Sequence, residues 1–159
     1  MPGFSLVELI VVIVVLGIVA SAGAAVMRDS IRGYLRGSEI SSADWQGRLA
    51  LERITRELRD IAPPSGGVAN ISAASCGSST FEFSDINSTA ISYTQSTGTL
   101  IRNGQPLADK VSALQFYCLQ SNVQATTAPA AVYYVTVSMV VSTANTSTAY
   151  RSTIKPGNF

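Results

Sequence analysis

The chain has 159 residues, of which 47% are apolar and only 13% charged, and its net charge is +1. That length sets an expectation of one globular domain, and the near-zero charge gives no field to draw in nucleic acid. There is no histidine, which excludes Ser-His-Asp and Cys-His catalysis and removes the commonest zinc ligand.

The charges are unevenly placed. Leu9 to Met27 is a run of nineteen residues with none, and Arg28 to Asp60 holds thirteen of the twenty-one. Ile61 to Phe159 holds seven in 99 residues, 27 of which are Ser or Thr. Three compositions suit three surroundings: lipid, a passage from lipid to water, and a neutral head.

In chain order, the apolar run comes first. As a helix rising about 1.5 Å per residue, nineteen residues span roughly 28 Å, close to a hydrocarbon core of about 30 Å. A helix satisfies its own backbone groups and so can cross lipid. The run is too long for a secretory signal and lacks that signal's basic start. Glu8 stands directly before it, among apolar Phe4, Leu6 and Val7. A carboxylate at the edge of lipid is costly and calls for a partner, unless it lies at the interface. Small residues gather later, with Gly17, Ser21 and Ala25 spaced by four on one face. They suit close helix packing in a membrane, and they also suit ordinary membrane-helix composition.

The segment Gly3-Phe4-Ser5-Leu6-Val7-Glu8-Leu9-Ile10-Val11-Val12 resembles the N-terminal signal of type IV prepilins and type II secretion pseudopilins. The resemblance implies cleavage by a prepilin peptidase between Gly3 and Phe4, N-methylation of Phe4, and an assembly role for Glu8. In that role Glu8 neutralises the N-terminal amine of a neighbouring subunit. An opposite charge in a low-dielectric place is worth far more than in water, so the resemblance also supplies the partner that the carboxylate lacked. The helix through Leu9, Ile13, Gly17, Ser21 and Met27 would first anchor the chain in membrane lipid and later pack in a filament core. The implied partners are other pilin or pseudopilin subunits, the prepilin peptidase and an inner-membrane assembly platform. The implied location is the bacterial inner membrane as a single pass with a periplasmic head, then a filament. The leader Met1-Pro2-Gly3 lacks the basic residues usual in the family, so either the true start lies upstream or the leader has been trimmed. The helix also lacks the mid-helix proline common in major pilins, which leans toward a minor subunit.

Ile31, Tyr34 and Leu35, then Trp45, Leu49, Leu51, Ile54, Leu58 and Ile61, recur at helical spacing and predict one apolar stripe. Gly33, Gly37 and Gly47 weaken helix by about 1 kcal/mol each, and a bend or frayed turn is expected near Arg36 to Ser42. Glu52 and Arg56 are four apart in the favourable order, worth about 0.2–0.5 kcal/mol if exposed. Most of the charges here read as a solvated face. Ala62-Pro63-Pro64 ends the helix, and Ser65-Gly66-Gly67 reads as loop.

Beyond Pro64 the signals are strand and turn. Strands are expected at Thr80–Phe83, Ala90–Gln95, Thr99–Arg102, Val111–Leu119, Val132–Ser142 and Tyr150–Ile154. A hairpin turn is expected at Ser96-Thr97-Gly98, and a second turn at Asn103-Gly104. Leu114, Phe116 and Cys118 share one face, as do Tyr133, Val135, Val137, Met139 and Val141. The apolar helix stripe from Trp45 to Ile61 would cover the sheet. The fold class is therefore α+β: a pilin fold, with a long N-terminal helix packed against an antiparallel β-sheet head. The expected parts are leader 1–3, membrane or filament-core helix 4–27, amphipathic helix 28–62 and head 63–159.

Cys76 and Cys118 have 41 residues between them. In an exported head they are expected to form a disulfide, worth roughly 4 kcal/mol by chain entropy; two buried thiols are the alternative. No catalytic constellation, metal site or cofactor is expected. Glu82 and Asp85, with Asn87 nearby, admit a carboxylate pair or a calcium site, but solvated surface is the simpler reading. Thr99–Gly104 followed by Val111–Phe116 looks like the J-type minor pseudopilins and equally like minor proteins of mannose-sensitive haemagglutinin pili. The ending Thr153–Phe159 resembles that group's C-terminal motif, with Gly157 where a basic residue is usual. These readings imply a non-enzymatic minor subunit, in a tip or priming complex. The alternative is a membrane-anchored monomeric binding or adhesin domain, which would use the same anchor without needing Gly3, Phe4 or Glu8. No nucleic acid is expected as a partner, though a cluster of Arg102, Lys110, Arg151 and Lys155 would reopen that question.

Overall fold

A computed structural model describes residues 5–62, 70–144 and 146–157. Helix α1 spans Leu6–Arg59. The chain divides into two units, Met1–Glu39 and Ile40–Phe159. In the described part of the first, every residue from Ser5 to Ser38 is exposed. The apolar run therefore has no cover within its own unit. Residues 36–42 are helical throughout, so the expected fraying is not seen; one glycine costs about 1 kcal/mol and does not by itself break a helix.

The second unit contains the rest of α1 and two antiparallel sheets. Strands β1 (Phe81–Ser84), β2 (Ala90–Ser96), β3 (Thr99–Arg102) and β4 (Gln105–Asp109) form the first sheet in that order. Strands β5 (Val111–Leu119), β6 (Tyr134–Ser142) and β7 (Ser147–Ile154) form the second. Both are antiparallel meanders of sequential strands, joined by short connections except between β5 and β6, where residues 120–133 intervene. The two sequence-read turns are tight hairpins: Thr97 and Gly98 have φ of 48° and 80°, and Asn103 and Gly104 have 48° and 78°. Two successive positive φ values match the right-handed strand twist.

Three strand expectations change. Gln105–Asp109, for which no strand is expected, forms β4; Pro106 is tolerated because this is an edge strand. The last strand begins at Ser147 rather than Tyr150, because β7 pairs along β6 from Val135↔Ile154 to Ser142↔Ser147. Strand β6 begins at Tyr134, after a 3-10 turn at Pro129–Ala131.

The larger correction concerns the covering stripe of α1. Trp45 and Leu49 are 63% and 46% exposed. The buried face is Ala43, Gly47, Ala50, Ile54 and Leu58. A hydrophobicity pattern weights bulky residues and passes over the small ones that let a helix lie close to a sheet. A Cβ at Gly47 would sit 2.9 Å from Val141 Cγ2 and 3.0 Å from Tyr150 Cε2. Further along, the buried positions are taken by the larger Ile54 and Leu58. Together with Ile61 they join a core of Phe81, Tyr93, Leu100, Phe116, Val137 and Met139. The Phe81 and Phe116 rings stack at 4.7 Å between centroids.

Helix α1 ends at Arg59. The Arg59 carbonyl accepts a 3.0 Å hydrogen bond from the Gly157 N–H, and a Cβ at Gly157 would approach that oxygen to 3.3 Å. The glycine thus suits a close backbone approach that helps satisfy the helix end. Pro63, Pro64 and the Ser65–Gly67 loop lie outside the described residues. Cys76 and Cys118 are bonded to each other, with Cα atoms 5.3 Å apart, which ties the segment before β1 to β5.

Candidate functional site

The first candidate is the N-terminal helix. Gly3 and Phe4 lie outside the described residues. Glu8 lies in the first turn of α1 and is exposed, as are Leu9, Ile13, Gly17, Ser21 and Met27. It is the only charged side chain from Ser5 to Met27. The Ser21 hydroxyl donates to the Ile18 carbonyl at 2.8 Å, so the one polar side chain within the Leu9–Met27 run is satisfied by its own helix. A Cβ at Gly17 or Gly23 would meet nothing of this chain within 4 Å. No packing among the described residues demands glycine there, and the small surface is available to a neighbour.

The second cluster lies where α1 meets β2 and β3. Both Glu57 carboxylate oxygens accept from Arg102 Nε, at 2.9 and 2.8 Å. Oε2 also accepts from the Tyr93 hydroxyl, and Oε1 accepts from Arg53 Nε at 3.1 Å. The Glu57 and Arg102 side chains are 17% and 23% exposed. Burial pushes the Glu57 pKa up, but hydrogen bonds from Arg102, Tyr93 and Arg53 outweigh it, and the carboxyl ends below its ordinary value. Burial and the Glu57 carboxylate together raise the Tyr93 pKa far above that of a free phenol. This arrangement is a structural clamp: a helix carboxylate gathers a strand cation and a strand phenol.

A smaller cluster repeats the pattern toward β7. Asp44 accepts from the Tyr150 hydroxyl and, at 2.8 Å, from Arg48 Nε. The Tyr150 bond chiefly, and Arg48 with it, holds the Asp44 carboxyl below its usual range.

The sequence placed the Glu52–Arg56 pair, found at 3.0 Å on the exposed face, but did not set Glu57 apart from a run of charges read mostly as a solvated face. The available signal was position: Glu57 follows Ile54 by three and adjoins Leu58, on the flank of the buried face. Tyr93 and Arg102 gave no such hint, since their meeting depends on the β2–β3 pairing.

Of the four head cations singled out, Arg102 is engaged by Glu57. Lys155 donates to the Tyr133 hydroxyl at 2.8 Å and lies 4.4 Å from that ring's centroid. Asp85 Oδ1 accepts the backbone N–H groups of Asn87 and Thr89, at 2.9 and 2.7 Å. It shapes its own turn rather than facing Glu82. Among the described residues no three His, Cys, Asp or Glu side chains converge as metal ligands do.

Over residues 2–24 the chain matches the prokaryotic N-terminal methylation motif. This short motif and the apolar N-terminal helix fit a type IV pilin-like chain. No curated protein matches the sequence.

Proposed function

We propose that this chain is a minor pilin or minor pseudopilin that assembles into, or primes, a type IV pilus or a type II secretion pseudopilus as part of a tip complex. The observation that carries this reading is the Leu6–Met27 helix, apolar and exposed on every side, with Glu8 as its one charge and the methylation motif around it. Its surface needs lipid before assembly and other helices after it.

In this reading, hydrolysis of the Gly3–Phe4 peptide bond frees the Phe4 amine, which is then methylated but keeps its positive charge. A carboxylate in an apolar surrounding is costly without a partner. The amine of an adjacent subunit offsets that cost and sets the axial register between subunits. Gly17 and Gly23 leave room for neighbouring helices to approach. The Ile40–Phe159 unit, cross-linked by Cys76–Cys118, would be the periplasmic head. We assign it no catalytic role.

The test is intact mass of the protein taken from membranes, with and without the prepilin peptidase. Loss of everything through Gly3, with one added methyl, is expected only with the peptidase. An uncut, unmethylated chain in both would overturn the subunit reading and leave a membrane-anchored monomeric binding domain.

A further inference from the structure

The two sheets have four edge strands, and three of them are guarded. The outer edge of β1 is bonded by the segment before it: Ser72 N–H donates to the Glu82 carbonyl, and Ser84 N–H to that of Asn70. Strand β5 is met by Gly77 and Ser78 at Phe116, and by Thr126 at Cys118. Strand β4 carries Pro106, and its Asp109 N–H donates to the Gln46 side chain. Strand β7 is different. It is eight residues long, has no proline and carries one charge, Arg151. Among the described residues no backbone group bonds its outer edge. A long, unguarded edge of this kind is a template for another strand.

A groove of about 590 Å³ runs between β7 and α1. Arg48, Arg56 and Arg59 line it against a single acid, Glu52, with Thr148 and Tyr150 on the strand side. Arg56 is paired with Glu52, and Arg48 with Asp44. The Arg59 guanidinium has no partner among the described residues.

We propose that β7 accepts an extended, acidic segment of another protein chain by strand addition. The segment's backbone would complete the free edge, and alternate side chains would turn carboxylates toward Arg48, Arg56 and Arg59. A second copy of this chain does not fit. The strand it would add, a second β7, carries no carboxylate to meet Arg59. This inference stands apart from the role given to Glu8.

The test uses the full chain in non-ionic detergent. The probes are a short peptide alternating Glu with Thr or Val, and its Lys-for-Glu counterpart. The Glu peptide is expected to bind, more weakly as salt rises, and to slow amide exchange at Ser147–Ile154; the Lys peptide is expected not to bind. Arg59→Glu is expected to weaken Glu-peptide binding roughly tenfold, whereas Arg32→Glu leaves it unchanged. No binding at low salt, or binding that leaves β7 exchange unaltered, would overturn strand addition. Protection of β7 that grows with protein concentration, without peptide, would mean self-pairing and overturn the choice of partner.

Discussion

Removing the Glu57 carboxylate tests the clamp that joins α1 to the first sheet. Glu57→Ala strands the Tyr93 hydroxyl, on a residue with no exposed surface, and leaves the 23% exposed Arg102 side chain uncompensated. Hydrogen bonds to a charged group contribute about 1.5–3 kcal/mol when shielded, against about 0–1 kcal/mol for a solvated pair. The partial burial here puts Glu57→Ala at about 2–3 kcal/mol, and Glu57→Gln, which still offers Tyr93 an acceptor, at about 1–2 kcal/mol. A loss of 2 kcal/mol lowers the midpoint of a unit this size by roughly 8 °C. The assay is urea unfolding of the full chain in non-ionic detergent, as a double-mutant cycle with Arg102→Met. A coupling of about 1 kcal/mol is expected, and a value under about 0.3 kcal/mol would mean that the two side chains merely lie near each other.

The remaining predictions concern pH, the bridge, the close contact and the anchor. The folded Glu57 pKa is depressed, so the unfolded chain binds more protons in the window below about pH 4.3. The stability that Glu57 contributes is present above that pH and is lost as pH falls through the folded value. Wild type should therefore lose its advantage over Glu57→Gln in acid titrations; an advantage that persists to the lowest pH would contradict the clamp. Cys76→Ser with Cys118→Ser should cost about 2–4 kcal/mol in non-reducing urea melts, and equal midpoints would show that the bridge does not constrain the unfolded chain. Gly47→Ala adds helix propensity worth about 1 kcal/mol but overpacks Val141 and Tyr150 at about 1–3 kcal/mol. A net loss near 1 kcal/mol is expected, and a gain would show that the sheet can move aside. Glu8→Ala should leave the chain in the membrane yet exclude it from filaments, as read by co-purification with other subunits; normal incorporation would remove the register role.

Much of the second unit was legible beforehand. Alternation in Val111–Leu119 and through most of Val132–Ser142 marked two central strands, and Thr97-Gly98 and Asn103-Gly104 marked turns, because those signals are local. Strand β4 was hidden because an edge strand needs neither alternation nor freedom from proline. The covering stripe is buried at Ile54, Leu58 and Ile61, but its start on α1 was misread because Ala43, Gly47 and Ala50 carry almost no hydrophobic signal, while exposed Trp45 and Leu49 carry a strong one. The Glu57 clamp was out of reach because Glu57 and Arg102 lie 45 positions apart in the chain.

Sequence alone determined the apolar N-terminal helix, the isolated acid at Glu8, the methylation motif and the α+β class. Each is a property of consecutive or periodic residues, and lipid length, helical rise and strand alternation translate such properties directly. Tertiary structure decided which helix face lies on the sheet, which carboxylate is shielded and which strand edge is left open. Those outcomes depend on the distance between backbones and on pairing between remote segments. Small residues and single polar atoms settle them without leaving a pattern along the chain.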